Sequence, residues 1–330
     1  MSGPGKRIGL GLLVAVASIA AGGCGGPDAG EPPASPFAAA LASIGGGGAN
    51  GSLGVGWTDP KPLQSLGAPG TQLIAGALGP NAGSVIEAAP AIERRFGFDP
   101  LDAERLVSVG GSYAFGLRLD GVDARGLESK LIAAGGRTRA SGEAELLDIG
   151  GYASVPGPLL DIGVNGLGAS DAFGDDRAVL AISETARAAL LGRGERLLEE
   201  PTYAAAADCL GDVLAVRLIP AKLLLSTELG VAAVGLGVGA GEEVLCVLGG
   251  SGERAAEVAA SLRESLAPQA RDPRTGERIG DSVAARQVSV GSYAGVEVVR
   301  VELTPAAGAG AGFVFAAAAR GSIADLINAR

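Results

Sequence analysis

An apolar run of 14 residues from Ile8 to Ala21 follows Lys6-Arg7 and stops at Gly22-Gly23-Cys24. A spanning helix needs ~20 such residues. A basic start, a short apolar stretch and a small-residue end are instead the layout of an export signal. Residues 1–23 are therefore expected to be a removable signal peptide, so that the fold is made by the remaining roughly 300 residues outside the reducing cytosol. That length is enough for a substantial core in one large domain or two smaller ones.

Ala21-Gly22-Gly23-Cys24 resembles the lipobox of bacterial lipoproteins, although the family usually carries Leu where this chain has Ala21. The resemblance implies that the Cys24 sulfur receives a diacylglyceryl group and becomes the first residue. It places the protein in the cell envelope, on the outer face of the cytoplasmic membrane. Two acyl chains meet the two-signal requirement for stable attachment, each buried methylene contributing about 0.8 kcal/mol. Ordinary cleavage after Ala20, with Cys24 incidental, is the other reading of this segment. Cysteine arithmetic favours the anchor, because the chain holds only Cys24, Cys209 and Cys246. If lipid takes the first, an even pair remains for a disulfide.

The chain has no histidine and a formal charge of −10, and loss of Lys6 and Arg7 makes the mature form more negative still. Nucleic acid and anionic headgroups are poor partners for such a body. Without histidine, Ser-His-Asp and Cys-His nucleophile systems are excluded, as are His-ligated zinc, copper and non-haem iron sites. No catalytic residue, cofactor site or metal site is assigned, and the protein is expected not to be an enzyme.

Residues 24–52 read as a flexible stalk in composition, with Gly-Pro clusters and Gly45-Gly46-Gly47-Gly48. Within it, Ser35-Pro36 and Gly45 can enclose one short helix carrying Phe37, Leu41 and Ile44. Beyond it, 81–95 predicts a helix interrupted by Pro90, and Asp99-Pro100 caps a short one. Alternation over 106–119 predicts strands, and Asp123 caps a helix that Gly135-Gly136 ends. Strands are expected at Leu146-Leu147 and 178–182, followed by a helix capped by Ser183. In the second half, 244–248 predicts a strand, Ser251 a helix cap, 288–303 two strands around Ser292-Tyr293-Ala294-Gly295, and 313–317 a further strand. Ser322 to Asp325 has the form of a capping box.

These elements give an α+β fold, an antiparallel-rich sheet with helices packed on one face, and two similar halves, 53–205 and 206–330, are expected. Two internal matches suggest duplication: 178–182 with 313–316, and 107–114 with 288–294. They do not fit a single tandem repeat. Stretches within 178–213 resemble uncharacterised exported actinobacterial proteins, which implies no activity.

Among motifs that could carry chemistry, Cys209 and Cys246 read as a structural disulfide. Their spacing is not that of a catalytic C-x-x-C pair. The run from Gly235 to Gly241 lacks the third glycine and the following helix of a dinucleotide turn, and reads as a glycine-rich strand or turn. Gly110 to Ala114 approaches a nucleophile elbow without its last glycine or an activating histidine. Thr58-Asp59-Pro60-Lys61 reads as a turn, and the acidic stretch 161–176 as a solvated loop without EF-hand order. The expectation is a membrane-anchored envelope protein that binds an unknown envelope protein or ligand. The alternative is a carrier of an acyl-chain lipid or glycolipid in an apolar cavity.

Overall fold

The computed structural model describes residues 35–46, 53–110, 115–141, 144–148, 169–171, 175–224 and 229–328. Cys24, the expected signal peptide and residues 111–114 of the elbow-like stretch lie outside them. The described strands form one antiparallel sheet in the order β11-β12-β10-β9-β8-β1-β2-β3-β7-β6-β5-β4. They are β1 (Gly54–Thr58), β2 (Arg105–Gly110), β3 (Phe115–Asp120), β4 (Arg137–Ser141), β5 (Ala144–Asp148), β6 (Ala169–Asp171), β7 (Arg177–Ala181), β8 (Ala215–Pro220), β9 (Ala233–Val238), β10 (Glu243–Leu248), β11 (Val283–Tyr293) and β12 (Val296–Pro305).

The α+β class and the antiparallel sheet are as expected, but helices cover both faces rather than one. The reason lies in the strands themselves. Central strands alternate two apolar sets, so each face needs its own cover. Leu117 and Leu119 of β3, Leu236 of β9 and Leu245 of β10 belong to one core with α3 (Ala68–Glu87), α5 (Ala124–Ala133), α8 (Gly252–Ser265), α9 (Phe313–Arg320) and α10 (Ser322–Asn328). Val55 and Trp57 of β1, Val179 of β7 and Cys246 of β10 belong to the other, with α1 (Pro36–Ser43), α6 (Glu184–Leu190) and α7 (Pro201–Leu210).

The stalk expectation fails over 35–46. The short helix within it forms, with Ser35 Oγ accepting from Ala38 N at 3.1 Å. Its apolar side chains are core: Phe37 and Leu41 are buried, and the Phe37 ring lies 6.4 Å from that of Trp57. Buried Arg118 of β3 fixes the end of α1, donating to Ser43 Oγ at 2.8 Å and to Leu190 O at 3.1 Å while paired with Asp120.

The helix expected over 81–95 is two helices. In α3 the break falls at Gly79 (φ 81°, ψ 173°), because Pro80 has no N–H and disfavours helical geometry in the residue before it. Pro90 lies in the first turn of α4 (Ala89–Phe96), where proline is tolerated. The strand expected at 313–317 is also corrected, since Phe313–Arg320 is α9. The carboxylate of Glu243, at the start of β10, accepts from Gly312 N, Phe313 N and Val314 N. This long-range cap satisfies the orphan donors of the first turn, and nothing local to 313–317 announces it. Ser322 is the first residue of α10 rather than the residue before it, and its hydroxyl donates to Asp272 Oδ1 at 3.0 Å.

Of the two internal matches, one pairs a strand with a helix, β7 with α9, and the other pairs two strands at different places in the sheet, β2 with β11. The topology nevertheless repeats in another frame. In each half a helix (α1 or α7) precedes three meandering strands (β1-β2-β3 or β8-β9-β10). A second helix follows (α5 or α8), and the last strand of the returning chain (β7 or β12) pairs with the third strand. The strand-to-helix turns correspond in position, each with a leading glycine two residues before the cap: Gly121-Val122-Asp123 and Gly249-Gly250-Ser251. The leading glycine has φ 76° in one and 87° in the other, and the Asp or Ser accepts from the N–H three residues on. The halves meet where β1 pairs antiparallel with β8.

Phe37→Ala should lower stability by about 3 kcal/mol, as for truncation of a buried aromatic residue. Chemical denaturation checks this, and a stalk residue would show no change.

Candidate functional site

Cys209, at the end of α7, and Cys246, within β10, are joined by a disulfide with a Cα–Cα distance of 6.3 Å. Closing a loop of this length contributes about 4 kcal/mol in the chain-entropy model. The glycine run explains how α7 comes near enough. Gly235 lies opposite Cys246 in the β9–β10 ladder. A Cβ at Gly235 or at Gly237 would stand only 3.2 Å from the Leu210 methyl groups. The expected glycine-rich strand is thus β9, with glycine where the helix presses on the sheet.

Other singled-out residues have structural roles. Thr58 Oγ1 donates to Leu214 O at 3.2 Å, and Asp59 Oδ1 accepts from Lys61 N to cap α2 (Pro60–Gln64). In the acidic stretch, Asp175 pairs with Arg125, and the Asp176 carbonyl accepts from Gly121 N at 2.8 Å. Most of that stretch lies outside the described residues. Among the described residues, no group of three or more His, Cys, Asp or Glu side chains is placed to hold a metal ion.

The feature that sequence reasoning missed lies at the joint between the halves. On the face under α3, β1 presents Gly54 and Gly56, and β2 presents Ser108 and Gly110. Gly56 stands in register between Ser108 and Arg217 of β8. A Cβ on Gly56 would fall 2.5 Å from Ala77 O, so glycine there lets α3 press onto the sheet. Ser108 Oγ donates to Leu78 O at 2.8 Å, holding the helix just before its break. Beyond the break the small residues leave space. A cavity of about 320 Å³ is floored by Gly54 and Gly110, walled by Leu78, Phe115, Ile219 and Leu223, and reached by Arg217 and Lys222. A second cavity of about 650 Å³ runs between α3 and α9, and the two share Gly79, Pro80 and Arg217.

Arg217 sets this place apart. Burial holds its guanidinium below the usual arginine range, and no neighbouring carboxylate raises it again. Among the described residues, no hydrogen bond or ion pair is made by its side chain. Buried Arg118, by contrast, pairs with Asp120. The smaller cavity has no Asp or Glu among its described lining residues, although the chain as a whole is acidic. Desolvating a cation without a partner costs stability, so the arrangement fits an anion arriving from outside. The only sequence signal was Arg217 itself, a charge in an apolar strand.

No protein-family model matches the chain, and neither a curated protein nor a solved structure is detectably similar to it. The functional reading therefore rests on the geometry.

Arg217→Gln should leave the fold intact and the unfolding free energy unchanged or slightly raised, because it removes a half-buried charge that no carboxylate compensates among the described residues. Thermal unfolding checks this, and a clear loss of stability would mean that Arg217 holds the structure together.

Proposed function

We propose that this is an envelope protein, held by lipid at Cys24 on the outer face of the cytoplasmic membrane, that binds a small ligand in the cavity beneath the α3 break without transforming it. The unpaired guanidinium of Arg217 carries this reading. A half-buried, partly desolvated charge that has no ion-pair partner among the described residues leaves a place that an anion from outside can complete. The Cys209–Cys246 disulfide supports maturation outside the reducing cytosol. Among the described residues no helix is long and apolar enough to cross a membrane, so attachment in this reading depends on Cys24.

Docking of an envelope protein on an apolar surface has less support. The large exposed apolar side chains among the described residues are Leu66, Ile132 and Val290. They stand on separate elements, after α2, on α5 and on β11, and scattered single residues of this kind are ordinary surface.

Native mass spectrometry of the gently extracted protein should show a co-purifying non-protein mass, reduced in Arg217→Gln. Protein free of any adduct in both forms would count against ligand binding. Cys24→Ala should release the protein from membranes or block its processing, and undiminished membrane retention would refute the anchor.

A further inference from the structure

Building on the ligand-binding reading, we infer that the ligand is an amphiphile with an oxyanion head, carboxylate or phosphate, on an unbranched apolar chain. The head lies at Arg217 and Lys222, and the chain lies in the cavity under the α3 break.

Two observations specify the head. Arg217 lines both cavities, so its guanidinium stands where they adjoin. Lys222, exposed, adds a second positive charge to the smaller cavity. A guanidinium presents a planar fork of donors that suits carboxylate or phosphate, and a neutral hydroxyl cannot return the charge. The residues beside them specify the chain. Leu78, Phe115, Ile219 and Leu223 offer aliphatic and aromatic walls. Ser108, the hydroxyl in the same cavity, already donates to Leu78 O. At the roughly 30 Å³ occupied by a water molecule in the liquid, a volume of about 320 Å³ holds about ten methylene-sized groups. A chain near ten carbons fits, and a free small anion leaves the apolar walls unfilled.

The test titrates the full chain, kept in digitonin, whose rigid steroid is too bulky for such a cavity. The probes are decanoate, decyl phosphate, decan-1-ol, acetate and inorganic phosphate, with calorimetry as the readout. At least one of decanoate and decyl phosphate should bind one per chain, at least tenfold more tightly than the alcohol or either short anion. The tighter of the two identifies a fatty-acid or a phospholipid-like head. Arg217→Gln should abolish that tenfold preference and leave decan-1-ol binding unchanged. Leu223→Trp, which fills the cavity and keeps the cation, should lose decanoate, decyl phosphate and decan-1-ol alike.

Equal binding of decan-1-ol, equal binding of a short anion, a preference that survives Arg217→Gln, or no binding of any probe would each overturn this assignment. A neutral molecule found by native mass spectrometry would overturn the ligand class while sustaining ligand binding. Absence of any adduct would count against the broader reading first.

Discussion

The antiparallel pairing of β1 with β8 is the joint on which the rest of the molecule depends. Each strand begins a meander that runs outward, so these two strands turn two half-sheets into one sheet with a continuous backbone ladder. A joint of this kind places constraints on both faces at once. On one, Val55 and Trp57 of β1 and Val216 and Leu218 of β8 form the centre of a core covered by α1, α6 and α7. On the other, the same strands offer Gly54, Gly56 and Arg217 to α3. The first face is filled and the second is left partly empty. Side-chain volume decides the difference: valine and tryptophan occupy the space that glycine leaves open.

Charged and polar groups inside the molecule act mostly as clamps at helix ends. Arg118 holds the last residues of α1 and α6, and the Glu243 carboxylate holds the first turn of α9. The Tyr203 hydroxyl donates to Leu53 O at 2.7 Å and joins α7 to the start of β1. Burial pushes that hydroxyl above the ordinary tyrosine range, so it stays a neutral donor. Each clamp satisfies a backbone group that would otherwise be unpaired in an apolar layer. The disulfide acts in the same layer, tying α7 to β10. Arg217 is no such clamp, which is why its position bears on function.

Local signals in the sequence carried much of this structure. Asp123, Ser183 and Ser251 cap the helices expected of them, and 106–110, 115–119, 178–181 and 244–248 are strands because β-branched and leucine residues alternate or run together there. What escaped was set by distant contacts. A run such as Phe313-Val314-Phe315 has strand-like composition and becomes helical because Glu243, about seventy residues earlier, accepts its amide hydrogens. The helix at 36–43 was visible, but its burial was not, since the glycines flanking it have the composition of a linker. Placement of helices on both faces follows from strands that are apolar on both sides, a pattern present in β8 and β10. The repeat was sought in apolar runs, where Ala-rich and Gly-rich composition makes chance matches common. Its clearest trace is a turn, a positive-φ glycine two residues before an Asp or Ser cap.

The cavity follows from the same economy of side chains. A helix that crosses a sheet of glycines can approach closely, as α3 does over Gly56. To follow the sheet further, it would have to bury Arg217 against its own backbone. Gly79 and Pro80 interrupt the helix at that point, and a Cβ on Gly79 would sit 3.6 Å from the Arg217 Nε. The break therefore does two things at once: it ends the close contact and leaves room beside the guanidinium. Pro80 keeps the helix broken whatever stands at 217, but an apolar side chain there would fill the space beside the break with a gain in packing. The chain carries a cation there with no carboxylate paired to it among the described residues, and this is what supports the proposal that the space is a binding site rather than a packing defect.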